Sequence, residues 1–225
     1  MPDKTFPEWD ALLSSVAHLQ RIIPDAVLVG GTAVATYAHH RVSLDHDHIL
    51  TNLRERFDDI LAELESVAGW KTARVRRPVL ILGSLDGIET GIRQLIRTEP
   101  LETVEVETNG VRLQLPSKAE MLRIKAVLIL KRNATRDYLD FVALANMIGD
   151  SGVALALERF DELYPQPNGA SPLQQLASQL ANPLPFDLDA TNLAEYKHLV
   201  KEYQDWNRIK ELCAHVAVSV IHPML

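Results

Sequence analysis

The sequence predicts a mixed α/β N-terminal half followed by a helical C-terminal half, an α/β (α+β) class that three observations support. The short apolar run Ala26 to Val29 leads into Gly30-Gly31 and then into the alanine-rich stretch Thr32 to His39, the order strand, glycine turn, helix. Asp86-Gly87 and Asn109-Gly110 each sit between strand-forming runs and signal hairpins, so the sheet is expected to be mixed. Ser117 with Glu120 three residues on is a capping-box pattern that opens a helical region. The expected division is residues 1–116 for the α/β core and 117–225 for the helical part.

The elements follow in order. Glu8 to Ile23 carries Leu12, Leu13, Val16, Leu19 and Ile23 at helical spacing and stops at Pro24. Val42 to Leu50 alternates, which predicts a strand with His46 and His48 on one face and Ser43, Asp45 and Asp47 on the other. Asn52 to Ala68 reads as an amphipathic helix closed by Gly69. Val79 to Leu82 and Glu89 to Ile96 form one expected hairpin, and Val104 to Thr108 with Val111 to Leu115 the other. Helices are expected from Ser117 to about Lys131, from Thr135 to Ile148 and from Leu193 to Val220, with proline-rich loops around Pro165–Pro172 and Pro183–Pro185.

Composition narrows the function classes. With 225 residues, 47% of them hydrophobic and 24% charged, the chain has an ordinary globular make-up. Twenty-three Lys+Arg against 30 Asp+Glu give a net charge of −7, which argues against nucleic-acid binding through overall charge and leaves only local basic clusters. Lys71, Arg74, Arg76 and Arg77 make the strongest such cluster, suited either to an RNA backbone or to a solvated strand edge. One cysteine, Cys213, permits neither an internal disulfide nor a Cys-based zinc site, so a cytoplasmic setting is expected. Asp3, Lys4, Glu8 and Asp10 break up the first ten residues and no later run is long and apolar enough, so neither export nor membrane partnership is expected.

Gly30-Gly31-Thr32 followed by Asp45-His46-Asp47 carries the chemistry. Glycines let a backbone approach phosphate oxygens, and free N–H groups at a helix start attract anions. Asp45 and Asp47, two apart on a strand, present hard oxygen ligands of the kind Mg²⁺ prefers, and two such ions can activate a hydroxyl and stabilise a leaving pyrophosphate. His39, His40, His46 and His48 also allow a zinc reading, but on a strand His46 and His48 point away from the aspartates.

Gly30-Gly31-Thr32-Ala33, His40-Arg41, Ser43 and Asp45-His46-Asp47 resemble the nucleotidyltransferases of the AbiEii/AbiGii toxin family, and the likeness continues through Lys125, Arg132 and Arg136-Asp137-Tyr138-Leu139-Asp140. The resemblance implies a polymerase-beta-like nucleotidyltransferase core in which Asp45 and Asp47 hold Mg²⁺, two ions in all. Gly30, Gly31 and Thr32, joined by Arg41 and Ser43, would bind a nucleoside triphosphate. Lys125 and Arg132 would neutralise its phosphates, and Asp137 would act as base or orienting group for the incoming hydroxyl. The family uses a third carboxylate, for which Glu89 is the first choice ahead of Asp86 and Glu105, with Arg93 on the same strand face as a phosphate contact. The resemblance further implies a toxin of a toxin–antitoxin or phage-defence system, a tRNA acceptor and a cognate antitoxin. A degenerate fold that binds nucleotide or antitoxin without turnover is the competing reading. Arg136 and Asp140 stand at the i,i+4 spacing of an intrahelical ion pair.

Overall fold

The computed structural model describes residues 7–225, so Asp3 and Lys4 lie outside the described residues. The chain forms two compact units, one made of residues 7–36 with Ser43–Pro116 and the other of Tyr37–Val42 with Ser117–Leu225. Residues 37–42, expected in the N-terminal core, go with the helical unit because His40 and Arg41 are bonded to Asp140 there.

The first unit runs α1 (Pro7–Ile22), β1 (Val27–Val29), α2 (Gly30–Ala38, whose end lies in the second unit), β2 (His46–Leu50), α3 (Leu53–Ser66), β3 (Trp70–Arg76), β4 (Leu80–Leu85), β5 (Ile88–Gln94), β6 (Thr103–Thr108) and β7 (Val111–Pro116). Five strands form one sheet in the order β1-β2-β5-β4-β3, in which β2 and β5 are parallel and the other neighbours antiparallel; β6 and β7 pair separately. The expected mixed sheet is therefore present. Both hairpin turns take positive φ at their central residues, 54° and 83° at Asp86-Gly87 and 46° and 73° at Asn109-Gly110, which matches the right-handed twist of paired strands.

One face of the five-stranded sheet is covered. Leu50, Ile81, Leu85, Ile92 and Trp70 on the strands pack with Leu19 of α1 and with Leu53, Phe57, Ile60, Leu61 and Leu64 of α3. The periodicity of α3 dictates this, since those residues repeat at three- and four-residue steps and bring one stripe onto the strands. The opposite face carries Asp47, Gly91, Arg93, Leu80, Leu82 and Ser84, with Arg93 exposed and Leu80, Leu82 and Ser84 half-buried.

β2 begins at His46 rather than Val42, so Asp45 precedes the strand. β1 is three residues long and its last residue, Val29, already pairs with Asp47, leaving residues 43–45 no partner strand on that side. Strand β3 carries the basic cluster, for which a solvated strand edge is one of the two readings: apart from Trp70 its side chains are exposed, so no apolar alternation marks it.

The second unit contains α4 (Lys118–Arg132), α5 (Thr135–Leu157), α6 (Phe160–Leu163), α7 (Pro172–Ala181) and α8 (Trp206–His215), the last continued by a wider helical turn at Val216–Ile221. Ser117 Oγ accepts the Glu120 N–H at 3.1 Å, forming the expected cap of α4, and Asn133 ends the helix in a left-handed conformation. Gly149, at φ 69°, interrupts α5, so its first segment ends where the sequence suggests. By length and composition α5 could cross a membrane; half of its apolar window is buried within the fold, and its first turns hold the buried Asp137 and Asp140.

Leu193–Val220 is not one helix. Short 3₁₀ turns occupy Leu193–Glu195 and Lys201–Gln204, His198 takes φ 55°, and α8 starts only where Asp205 caps the Asn207 N–H at 2.9 Å. Helix α7 falls between the two expected loops; Ser171 caps it through the Gln174 N–H, and Leu173, Leu176 and Leu180 form its buried stripe.

Candidate active site

In the first unit Gly30 takes φ 78° and turns the chain from β1 into α2. The first turn of α2 carries no acidic side chain, so its free N–H groups favour an anion. Thr32 Oγ1 donates to the Asp45 backbone carbonyl at 2.5 Å, and Ser43 Oγ donates to Asp45 Oδ1 at 2.7 Å. These two bonds hold the exposed Asp45 in the bend before β2, so Thr32 and Ser43 position an aspartate. Asp47, on β2, keeps 32% of its side chain exposed and takes Arg93 Nε at 3.4 Å on Oδ1.

The glycines on either side explain where the Asp47 carboxylate can sit. A Cβ on Gly30 would lie 3.6 Å from Asp47 Cβ and 3.7 Å from Oδ2, while a Cβ on Gly91, the cross-strand partner of Asp47, would collide with Oδ1. Gly91 was overlooked in the sequence; its signal is a glycine inside a strand pattern, which marks close approach by another group.

The donor set fits Mg²⁺ in part. Asp45 and Asp47 supply hard carboxylate oxygens, and Mg²⁺ is commonly held by one or two carboxylates completed by substrate phosphates and water. Glu89 lies on the sheet face of Asp47, in the register position beside Gly91, yet among the described residues no three His, Cys, Asp or Glu side chains gather closely enough to hold a metal. The set Asp45–Asp47–Glu89 is therefore not assembled as expected. Asp86 is bonded instead to His18 Nδ1 at 3.0 Å, and Glu105 is on the separate β6–β7 pair.

His46 and His48 are buried on the covered face, as strand alternation requires, and the zinc reading finds no metal-holding group among the described residues. His46 Nε2 lies 3.0 Å from Ser15 Oγ and 2.9 Å from Thr90 Oγ1. Burial pushes the His46 imidazole down to about 4 and His48 well below the usual histidine range. Both rings are neutral at physiological pH.

In the second unit the later motif forms a buried ionic cluster. Asp140, fully buried, accepts Arg41 through Nε at 2.8 Å and a second guanidinium nitrogen at 3.0 Å, lies 2.8 Å from His40 Nε2, and takes Lys125 Nζ at 2.7 Å. Asp137, equally buried, accepts Arg132 at 2.5 and 2.6 Å and has Lys125 Nζ at 3.6 Å. Burial raises the affinity of Asp140 for a proton, but Arg41, Lys125 and His40 outweigh it and hold the carboxyl well below its usual range; on His40 burial acts the other way and lowers its affinity for a proton.

This corrects five expectations. Lys125 and Arg41 are committed to Asp140 and are 1% and 7% exposed, which leaves neither ready for a triphosphate. Arg132 directs its guanidinium to Asp137, whose carboxylate is closed off from an incoming hydroxyl. Asp140 pairs with Lys125, His40 and Arg41 instead of Arg136. The reason is shared: a buried carboxylate requires close cationic or hydrogen-bonding partners, and two such carboxylates on α5 draw the neighbouring basic side chains inward.

The backbone arrangement has solved counterparts. A crystal structure of JHP933 from Helicobacter pylori aligns over 96% of this chain and 91% of its own with a TM-score of 0.54 at 14% identity. A Helicobacter pylori protein classed as a nucleotidyltransferase aligns over 96% and 94% with a TM-score of 0.53 at 14% identity. The fold is that of the nucleotidyltransferases. A solution structure of the antibiotic-resistance factor ANT(2'')-Ia is similar too, with a TM-score of 0.52 and 12% identity over 68% of this chain and 90% of its own. No protein-family model matches the sequence. Among curated proteins, a mycolic acid-containing lipids exporter MmpL11 of Mycolicibacterium smegmatis is 33% identical over 128 residues, and a heme uptake protein MmpL11 of Mycobacterium tuberculosis H37Rv 34% over 129. Each match covers 56% of this chain, which spans only 13% of the relative's length.

Proposed function

We propose that this nucleotidyltransferase-fold chain transfers a nucleotidyl group from a nucleoside triphosphate to a hydroxyl acceptor in a Mg²⁺-dependent reaction. The observation that carries the reading is the placement of the Asp47 carboxylate against Gly30, at the start of α2, with Asp45 fastened to the same turn through Thr32. An anion-favouring helix start thereby lies against the Asp47 carboxylate, and Asp45 is tied to the first turn of the same helix through its backbone carbonyl.

Within that site the free N–H groups of Gly30, Gly31 and Thr32 would hold the terminal phosphates. Asp45 and Asp47 would be the metal-holding carboxylates, and a Mg²⁺ held there would neutralise phosphate charge and polarise the attacking oxygen. Ser43 fixes the Asp45 carboxylate, and Thr32 fixes its backbone. Arg93, the cation on Asp47, would meet a phosphate oxygen when the nucleotide enters. Most of the rate enhancement would come from positioning and charge stabilisation.

The AbiEii/AbiGii resemblance supports a toxin role with a tRNA acceptor and a cognate antitoxin, and the single cysteine suits a cytoplasmic setting. The competing reading, a nucleotide- or antitoxin-binding protein without turnover, is favoured by the ungathered third carboxylate and the burial of Lys125. Incubation with labelled nucleoside triphosphates, Mg²⁺ and total RNA separates them. Label transfer by the wild type that disappears in Asp45→Ala and Asp47→Asn supports the enzyme, and nucleotide binding without transfer supports the alternative.

A further inference from the structure

The sheet face that carries Asp47 holds a feature outside the proposed catalytic residues. Register joins Arg74 to Leu82, Leu82 to Gly91, Gly91 to Asp47 and Asp47 to Val29, so these five residues form one lateral row across the sheet. Directly paired residues point to the same side. Lys71 opposite Ser84 and Arg76 opposite Leu80 flank Arg74 on that side, making a basic stripe along β3. All three are exposed and make no ion pair among the described residues, in a chain whose net charge is −7.

Arg77 does not belong to the stripe. It stacks on Phe57 of α3, 4.9 Å from the ring centroid, and is paired with Asp58. Between the stripe and Asp47 lie β4 and β5, where the row offers the half-buried Leu82 and the side-chain-free Gly91. Three strand spacings of roughly 4.8 Å put β3 about 14 Å from β2, within reach of a short stretch of nucleic-acid backbone.

We infer that Lys71, Arg74 and Arg76 form a docking stripe along β3 for the phosphate backbone of a single-stranded RNA, whose end then turns across the sheet toward Asp47. The placement of that end rests on the nucleotidyl-transfer reading; the stripe itself does not. Charge complementarity carries the inference. Arg74 and Arg76 are two residues apart on one strand face, roughly 6.7 Å, a step suited to successive phosphates of an extended strand. The low overall charge makes this contact local, so affinity should fall steeply with salt.

The test measures binding of a short labelled single-stranded RNA to the full chain over a salt series, without nucleotide or metal. Wild type is expected to bind, and the combined variant Lys71→Gln, Arg74→Gln, Arg76→Gln to bind about tenfold or more weakly at low salt, with a log–log salt slope shallower by about 2. Each single variant should reduce the slope by about 0.7, and Arg77→Gln should leave it unchanged. Matching circular dichroism of variant and wild type confirms that the exposed substitutions spare the fold. Absence of RNA binding by wild type, or an unaltered slope in the triple variant, overturns the inference. So does binding to phosphatidylglycerol vesicles without binding to RNA, which would assign the stripe to a membrane surface. RNA bound through the stripe with no nucleotidyl transfer leaves the docking assignment standing and removes the enzymatic reading; transfer to a small hydroxyl acceptor without RNA binding does the reverse.

Discussion

Lys125 Nζ lies 2.7 Å from Asp140 Oδ2, with both side chains shielded from solvent. The lysine also reaches Asp137 at 3.6 Å, so one ammonium bridges two carboxylates one helical turn apart on α5. Within the second unit this contact ties α4 to α5, and Asp140 in turn holds His40 and Arg41.

Replacing Asp140 by Asn removes the negative charge while leaving Arg41 and Lys125 buried beside a neutral amide. Breaking a buried pair in this way costs about 3–5 kcal/mol, so Asp140→Asn should strongly lower the denaturation midpoint of the second unit. Chemical denaturation followed by circular dichroism checks this; a midpoint equal to wild type would show that the cluster carries little stability.

Lys125→Met distinguishes a structural lysine from a phosphate-binding one. The methionine retains the apolar stem, and Asp140 retains Arg41 and His40 while Asp137 retains Arg132. Stability should fall by about 1–3 kcal/mol through the weakened cluster. Nucleoside triphosphate affinity, measured by titration calorimetry, should stay within about twofold of wild type, because Nζ is withheld from solvent.

The cluster shows where the sequence was legible and where it was not. Lys125, Arg132, Asp137 and Asp140 could be singled out by residue type and spacing, but spacing along a helix does not say which side chains a fold buries. Arg136 and Asp140 had the correct interval for an ion pair, and Arg41, a hundred residues upstream by approximate count, took the carboxylate instead. Conversely, the β5 glycine opposite Asp47 becomes meaningful only through strand register, which a single sequence leaves open. The elements with local signals, the two glycine hairpins and the Ser117 cap, were readable because turn and cap chemistry is set within four residues. β3 was legible only as one of two readings of its basic cluster, since its exposed side chains give no core-facing alternation.

His46 and His48 make the first unit acid-sensitive. In the unfolded chain each has the ordinary histidine pKa of about 6.5, whereas in the fold burial lowers His46 to about 4 and His48 well below the usual range. The unfolded state therefore binds more protons below pH 6.5. Stability is complete above that value and declines as pH falls toward about 4, by roughly 3 kcal/mol for His46 alone. Denaturation at a series of pH values should show this loss, and His48→Phe should reduce it; among the described residues His48 Nε2 has no hydrogen-bond partner to forfeit, and only the 3.5 Å contact of its Nδ1 with His46 is given up. A flat profile from pH 7 to pH 5 would contradict the assignment of neutral buried rings.

Gly91→Ala tests the aspartate site without touching an ionisable group. Its new methyl would collide with Asp47 Oδ1, and the carboxylate would have to rotate away from its place beside Gly30. The methyl would also press on Leu82 Cδ2 at 3.2 Å, a contact the end of the leucine side chain can yield, and Gly91 does not take positive φ. Secondary structure should therefore survive, while nucleotidyl transfer falls by about 10²-fold, the scale expected when a reacting group is displaced by about 1 Å. Transfer at the wild-type rate in a folded Gly91→Ala would mean that the position of the Asp47 carboxylate does not govern the reaction.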